Sequence, residues 1–212
     1  MIHWIGSSLS QEVRSKVREL EAELTIPRQS ANPEEVAEFL RASKLGDVCG
    51  ADYIEFLKTY REFEPRECLV VTGVKAVIRQ YSDIDEFLEI ERFFTMSGVA
   101  NRRPVYAIEW YEGRLPAGFV PIGEDLHGNL FGMSTRPETA GQIWFWTHDG
   151  DGDEDYSPET LNFIATDFGD LLARLKVDNR GGGIAVDPAS LGEKVDWVVP
   201  IGRDQEGQMI PC

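Results

Sequence analysis

The spacing of hydrophobic residues predicts helices near the start of the chain. Apolar residues there recur at intervals of four, three and four, the spacing of one helical face: Val13, Val17, Leu20 and Leu24. Ser10 is a suitable cap for this helix. Asn32 followed by Pro33 is typical of the start of a second helix. A third short helix is expected over residues 51–60, where most apolar side chains share one side.

Short β-branched and aromatic runs follow, separated by turn residues, and they predict a meander of strands. The runs cover residues 68–72, 74–78, 105–111, 119–123, 129–134 and 142–147. Gly73 between the first two predicts a hairpin or a bulged strand pair, and residues 82–88 have the pattern of a short capped helix. Strands joined in this way pair mainly in antiparallel order.

Residues 156–177 fit either one long helix or a strand followed by a helix. We prefer a strand over residues 161–165 and then a helix capped by Thr166 or Asp167. The reason is Gly169, which would cost about 1 kcal/mol relative to alanine inside a long helix.

Acidic residues are unevenly distributed along the chain. The 212 residues include 37 acids and 21 bases, a net charge of −16, and 42% of the residues are apolar, enough to build a substantial core. Residues 121–180 hold twelve acids and four bases, whereas residues 1–60 hold ten and seven. Solubility and a surface for a cationic partner both explain this concentration. Phosphate backbones repel so acidic a chain, which argues against nucleic-acid binding.

The chain shows no pattern of membrane insertion or export. No apolar run approaches the roughly 20 residues of a membrane span, and the start lacks a signal-peptide pattern. Cys49, Cys68 and Cys212 are widely spaced and fit reduced thiols, not a disulfide framework or a zinc site. We therefore expect a cytoplasmic protein, with its oligomeric state open.

The densest acidic segment has five acids in seven residues: Asp149, Asp151, Asp153, Glu154 and Asp155. It is similar to the start of a calcium loop, which needs glycine at position six and glutamate at position twelve. Counted from Asp149, those positions hold Glu154 and Thr160, and the register from Asp151 fails as well. We expect no dedicated calcium site and no cofactor here, and weak cation binding by the segment stays open. The segment is either a solvated loop or an electrostatic arm for a basic partner.

Two histidines and several carboxylates are expected near one another. Glu124, Asp125 and His127 share one turn, and His148 ends a strand close by in the predicted sheet. Carboxylates beside imidazoles can act as a general base or hold a metal. However, the chain has three histidines, none in a metal-binding spacing, and it lacks nucleophile and phosphate-loop motifs. We assign no catalytic residue and keep an acid–base enzyme as the least favoured alternative.

Aromatic residues concentrate in the same predicted sheet. Trp144, Phe145 and Trp146 are consecutive in a strand, so the two tryptophans must share a face opposite Phe145. One face should be core, and the other either lies under a helix or presents an exposed aromatic residue; we prefer a core role. An exposed aromatic residue would instead be a binding anchor, so Trp146 joins the candidate partner-binding residues.

Residues 115–149 run from Leu-Pro-Ala-Gly-Phe-Val-Pro-Ile-Gly-Glu-Asp-Leu-His-Gly-Asn-Leu-Phe-Gly-Met to Gln-Ile-Trp-Phe-Trp-Thr-His-Asp. This stretch resembles the central signature of the SUKH superfamily, which includes the yeast cell-wall synthesis regulator and many bacterial immunity proteins. Residues 52–60 resemble the family's helix ahead of its first strand, and residues 161–172 resemble its closing strand and helix. The likeness covers residues 30–177. It departs at residues 61–65, which replace a frequent Asn-Gly-Gly.

The resemblance implies an α+β fold, with amino-terminal helices packed on a twisted, mainly antiparallel sheet of about six strands and a closing carboxy-terminal helix. Residues 30–177 would form this domain. Residues 1–29 would be a helical extension, and residues 178–212 a Gly-rich linker and tail.

The resemblance also implies a protein that binds other proteins without catalysis. Our first hypothesis is an immunity protein whose acidic surface meets a cognate toxin, for example a basic nuclease. Its candidate partner-binding residues are Glu124, Asp125, His127, Trp146, Asp149, Asp151, Asp153, Glu154 and Asp155. The alternative is a cytosolic regulatory or scaffold protein that binds endogenous partners. We expect neither a nucleic acid nor a membrane as partner.

Overall fold

A computed structural model describes residues 11–22, 24, 28–65, 69–74, 87–148, 161–177, 201–203 and 209–211. The chain divides into two compact units, residues 1–179 and residues 180–212. The described part of the first unit has five α-helices: α1 (Gln11–Glu21), α2 (Pro33–Ala42), α3 (Ala51–Thr59), α4 (Pro104–Trp110) and α5 (Phe168–Arg174). Short 3-10 turns lie at Leu45–Asp47, Ala100–Arg102 and Pro137–Thr139.

Side-chain caps explain where two of these helices begin. The Asn32 side chain accepts a hydrogen bond from the Glu34 backbone N–H at 2.9 Å, which confirms the predicted start of α2. Asp167 accepts one from the Asp170 N–H at 2.8 Å and caps α5. The preference for a strand followed by a helix is therefore confirmed.

The first unit has eight described strands: β1 (Leu69–Thr72), β2 (Phe87–Ile90), β3 (Arg92–Phe93), β4 (Phe119–Glu124), β5 (Leu130–Ser134), β6 (Ile143–Trp146), β7 (Leu161–Ala165) and β8 (Leu175–Val177). They form one antiparallel sheet in the order β2-β1-β8 and another in the order β3-β4-β5-β6-β7. The single residue Glu91 separates β2 from β3, so the chain passes from one sheet to the other there. The predicted α+β, mainly antiparallel fold class is confirmed, with its strands shared between two sheets.

One predicted strand is wrong: residues 105–111 are not a strand, because helix α4 occupies Pro104–Trp110. Proline at the first helical position favours this start. Ala107 and Tyr111 are buried four residues apart, whereas Tyr106 and Trp110 are exposed on the next side of the helix. Alternating apolar residues fit both periods in so short a segment, and the proline was the deciding signal.

Smaller differences occur at the edges of the three-stranded sheet. Residues 87–88 belong to β2 and not to the predicted helix over 82–88, whose earlier part lies outside the described residues. The neighbours of β1 are β2 and β8, and the proposed partner strand over 74–78 lies mostly outside the described residues. Leu175, expected in the last helix, begins β8 and is buried.

The five-stranded sheet separates two groups of buried side chains. On one face, Phe131, Met133 and Phe145 join the main core with residues of α2, α3 and α5. On the other, Leu130 and Trp146 pack with Ala107 and Tyr111 from α4 and the turn after it. Alternation along β5 and β6 produces this division, as the sequence predicted for Trp144, Phe145 and Trp146.

The second unit contains a two-stranded antiparallel ribbon of β9 (Ile201–Arg203) and β10 (Met209–Pro211). In the first unit, Leu20 and Leu24 lie in the main core, next to residues of the domain expected over 30–177. The boundaries predicted at residues 29 and 177 stay a prediction.

Candidate functional site

The turn between β4 and β5 is organised by a buried carboxylate. Asp125 is 8% exposed, and its Oδ1 accepts hydrogen bonds from the backbone N–H groups of His127 and Asn129, both at 2.8 Å. Its Oδ2 accepts a third bond from the Asn129 side-chain amide at 2.8 Å. Gly128 completes the turn with a φ of +83°, a conformation that glycine adopts without strain. Asp125 is thus a turn-forming residue and does not lie free on the surface.

Asn129 extends this network to His148. Its side-chain oxygen accepts a bond from the His148 backbone N–H at 3.2 Å and lies 3.1 Å from His148 Nδ1. Because the amide nitrogen of Asn129 donates to Asp125, the oxygen is the acceptor and Nδ1 of His148 carries the proton. The Asp125–Asn129–His148 chain therefore orients the imidazole through a structural contact.

Helix α4 is anchored to the same turn. The Tyr111 hydroxyl, just beyond the helix, donates to the Gly128 carbonyl at 3.0 Å. The Arg114 guanidinium donates to the His148 carbonyl at 2.7 Å and lies over the Tyr111 ring, 5.5 Å from its centroid. The end of α4, the β4–β5 turn and the end of β6 are thereby held together.

Glu124 faces the short edge strand β3. Its carboxylate lies 3.0 Å from Nε of Arg92, and the Glu124 side chain is 21% exposed. Burial raises the pKa of the Glu124 carboxyl above its ordinary value; Arg92 opposes this shift, and Glu91 and Asp125 add to it. The Glu124 carboxylate is engaged in a local ion pair next to like charges.

The remaining candidate partner-binding residues differ in exposure, and some lie outside the described residues. His127 is exposed, with its ring 3.9 Å from the Asp125 carboxylate. Trp146 is 1% exposed and packs edge-to-face on Tyr111 at 5.2 Å. The preferred core interpretation is therefore confirmed for Trp146, and its candidate role as an exposed anchor is wrong. The five acids of the loop lie outside the described residues: Asp149, Asp151, Asp153, Glu154 and Asp155.

Sequence reasoning missed an exposed aromatic pair on α4. Tyr106 and Trp110 are 38% and 67% exposed, and their rings stack with centroids 6.0 Å apart and planes at 17°. The signal was present as two aromatic residues four positions apart after Pro104. A strand interpretation hides this signal, because residues four positions apart are neighbours only in a helix.

Two shallow pockets occur elsewhere on the described surface. One, of about 150 Å³, lies between α1, α3 and α5, and the other, of about 120 Å³, lies beside Phe119 and Trp144. Typical small-molecule sites have about 300–1,000 Å³. In the described part of the chain, no group of three or more His, Cys, Asp or Glu side chains is placed to hold a metal ion. None of the described helices has the length and apolar character required to cross a bilayer.

The site combines structural polar groups with solvent-facing side chains. Its buried polar groups hold the turn, and its exposed groups are aromatic, acidic or imidazole side chains.

A search of curated proteins finds no match. A family model described as SMI1 / KNR4 family (SUKH-1) matches residues 33–174, more than half of the chain. This family includes toxin immunity proteins and cell-wall regulators and is generally non-catalytic. The chain belongs to the SMI1/KNR4 family (SUKH-1).

Proposed function

We propose that this protein is a non-enzymatic immunity protein of the cytoplasm that neutralises a cognate bacterial toxin by binding it. The observation that carries the proposal is that structural polar groups and solvent-facing side chains lie next to each other around the β4–β5 turn. The side chains of Glu124, Asp125 and His148 make structural bonds. On the neighbouring helix α4, Tyr106, Glu109 and Trp110 face solvent. Such a surface suits recognition of another protein.

The hydrogen bonds give three of the groups considered for acid–base chemistry a structural role. The Asp125 carboxylate has three donors, Glu124 pairs with Arg92, and His148 Nδ1 is bonded to Asn129. These contacts give the two carboxylates and Nδ1 of His148 structural partners, and the proton on Nδ1 leaves the imidazole lone pair on Nε2.

Charge supports a basic partner. Residues 121–180 carry a net charge of −8, half of the total of −16. Many toxic nucleases are basic because they hold nucleic acid, so an acidic inhibitor is a suitable complement to such a toxin. Opposite fields accelerate encounter, which matters for a protein that must capture a toxin before it acts.

The experiment uses the gene next to the one that encodes this chain. Its product is expressed from an inducible promoter with and without the full chain, and colony survival is counted. We expect survival with the chain, and a stable 1:1 complex when a catalytically inactivated toxin is purified with it. A control chain, Asp125→Ala, tests whether protection requires the folded turn.

Death of cells that express both proteins, with the chain soluble and folded, would contradict the proposal. Several endogenous partners in a pull-down, together with a harmless neighbouring gene product, would favour the regulatory or scaffold alternative.

A further inference from the structure

Helix α4 and the turn after it present a surface here named the α4 patch: Tyr106, Glu109, Trp110 and Glu112. All four residues are exposed. The opposite side of the helix, with Pro104 and Ala107, is buried. Trp110 is the most exposed large hydrophobic residue in the described part of the chain, at 67%. Exposed tryptophan and tyrosine are the residues that most often dominate binding energy once a partner covers them.

The two carboxylates of the patch have no ion-pair partner among the described residues. The nearby arginines are engaged elsewhere: Arg102 contacts Glu62 and Glu64, and Arg103 lies 3.9 Å from Glu35. Glu109 lies three residues after Tyr106 and directly before Trp110, so helical geometry places it beside the stacked rings. The patch therefore combines aromatic faces with uncompensated negative charge.

We infer that the α4 patch takes an arginine-bearing surface of a basic partner protein. A guanidinium group is planar and stacks on aromatic rings while its N–H groups reach a carboxylate. One part of this arrangement exists next to the patch, where the Arg114 guanidinium lies over the Tyr111 ring. The inference rests on the proposed function only in that the occupant is a protein.

Other occupants fit the patch less well. An apolar helix laid on the rings would desolvate Glu109 and Glu112 without a partner for either charge. A second copy of this chain in a two-fold contact would bring identical carboxylates together, which is unfavourable. An arginine side chain can stack on the rings and pair with a carboxylate at the same time.

A titration of the ¹⁵N-labelled full chain tests this inference. The probe is the peptide acetyl-(Arg-Gly)₄-amide at low salt, and the readout is the indole N–H signal of Trp110, assigned with the Trp110→Phe variant. We expect a saturable shift of that signal. The corresponding lysine peptide should bind at least about threefold more weakly, and the glutamate peptide should cause no shift.

Variants distinguish binding of the arginine peptide at the α4 patch from its general attraction to a negatively charged protein. Glu109→Gln with Glu112→Gln should weaken the peptide at least about threefold. Phe163→Ala removes another aromatic side chain, 43% exposed, and should leave the Trp110 response unchanged. An unmoved Trp110 signal, equal responses in the double variant, or a signal that changes only with protein concentration would overturn the inference.

The two proposals fail separately. If the chain protects cells from the toxin but Trp110 does not respond to the arginine peptide, the inference about the patch is wrong and the proposed function stands. If Trp110 responds and the chain gives no protection, the proposed function fails alone.

Discussion

At the scale of single residues, Asp125 is the most constrained polar group of the site. Asp125→Ala would leave two backbone N–H groups and the Asn129 amide without their acceptor. We expect the free energy of unfolding to fall by about 2–4 kcal/mol, because unsatisfied buried donors keep their desolvation cost. Urea denaturation followed by circular dichroism measures this loss.

Two control variants sharpen that measurement. Asp125→Asn keeps an acceptor oxygen for the two backbone donors and should cost less than alanine. His127→Ala changes an exposed ring in the same turn and should stay within about 0.5 kcal/mol of the parent. Equal stabilities of the alanine and asparagine variants would refute the assigned role of the carboxylate.

Cys49 provides a pH-dependent prediction. Burial raises the pKa of its thiol from 9.0 to about 11. Since the thiolate is the nucleophile, alkylation of the folded chain at pH 8 should be about a hundredfold slower than in urea. Iodoacetamide labelling of the Cys68→Ser/Cys212→Ser variant measures this rate. A folded-state profile with its midpoint near pH 9 would contradict it.

The same shift has a consequence for stability. The folded-state pKa of Cys49 lies above the unfolded value, so folding favours the neutral thiol. Its contribution to stability is present below about pH 9 and is lost as the pH rises towards about 11.

At the scale of elements, Gly132 determines how β4 and β5 pack. It lies opposite Pro121 in the ladder, and a Cβ there would overlap the ring of Phe119. Gly132→Ala should therefore cost about 1–3 kcal/mol through displacement of that ring. Adding Phe119→Leu should recover part of the loss, so that the double variant costs less than the sum of the single ones. Strictly additive costs, measured by thermal unfolding, would refute the contact.

The elements show what the sequence could reveal and where it fell short. Strands β4, β5 and β6 were predictable because turn residues bound each run and their side chains alternate between two buried faces. Helix α4 was not predictable, because the apolar and aromatic residues of a seven-residue segment fit a strand period and a helix period alike. That error also hid the exposed pair Tyr106 and Trp110.

The site was only partly predictable for a related reason. Sequence placed Glu124, Asp125 and His127 in one turn but could not distinguish an exposed carboxylate from one that accepts three hydrogen bonds. Trp146 shows the same limit: alternation located its face, while only the packing of α4 and Tyr111 over that face makes it buried.

At the scale of the whole molecule, charge distribution leads to the last prediction. The loop acids are replaced together by their amides: Asp149, Asp151, Asp153, Glu154 and Asp155. Charges around an interface act mainly on association, so the on-rate for the toxin should fall at least about tenfold at low salt. The difference should shrink as salt screens the charges. Stopped-flow fluorescence measures the rate.

A matched variant distinguishes where the charge lies from how much of it there is. It neutralises five exposed acids of the amino-terminal region: Glu19, Glu34, Glu38, Asp47 and Glu55. Both variants change the net charge by the same amount, yet residues 1–60 are nearly balanced and should face away from the toxin. We expect less than about a threefold change in on-rate for this control, because charges distant from an interface are screened. Equal losses in the two variants would mean that total charge governs the encounter and that the acidic loop does not mark the binding surface.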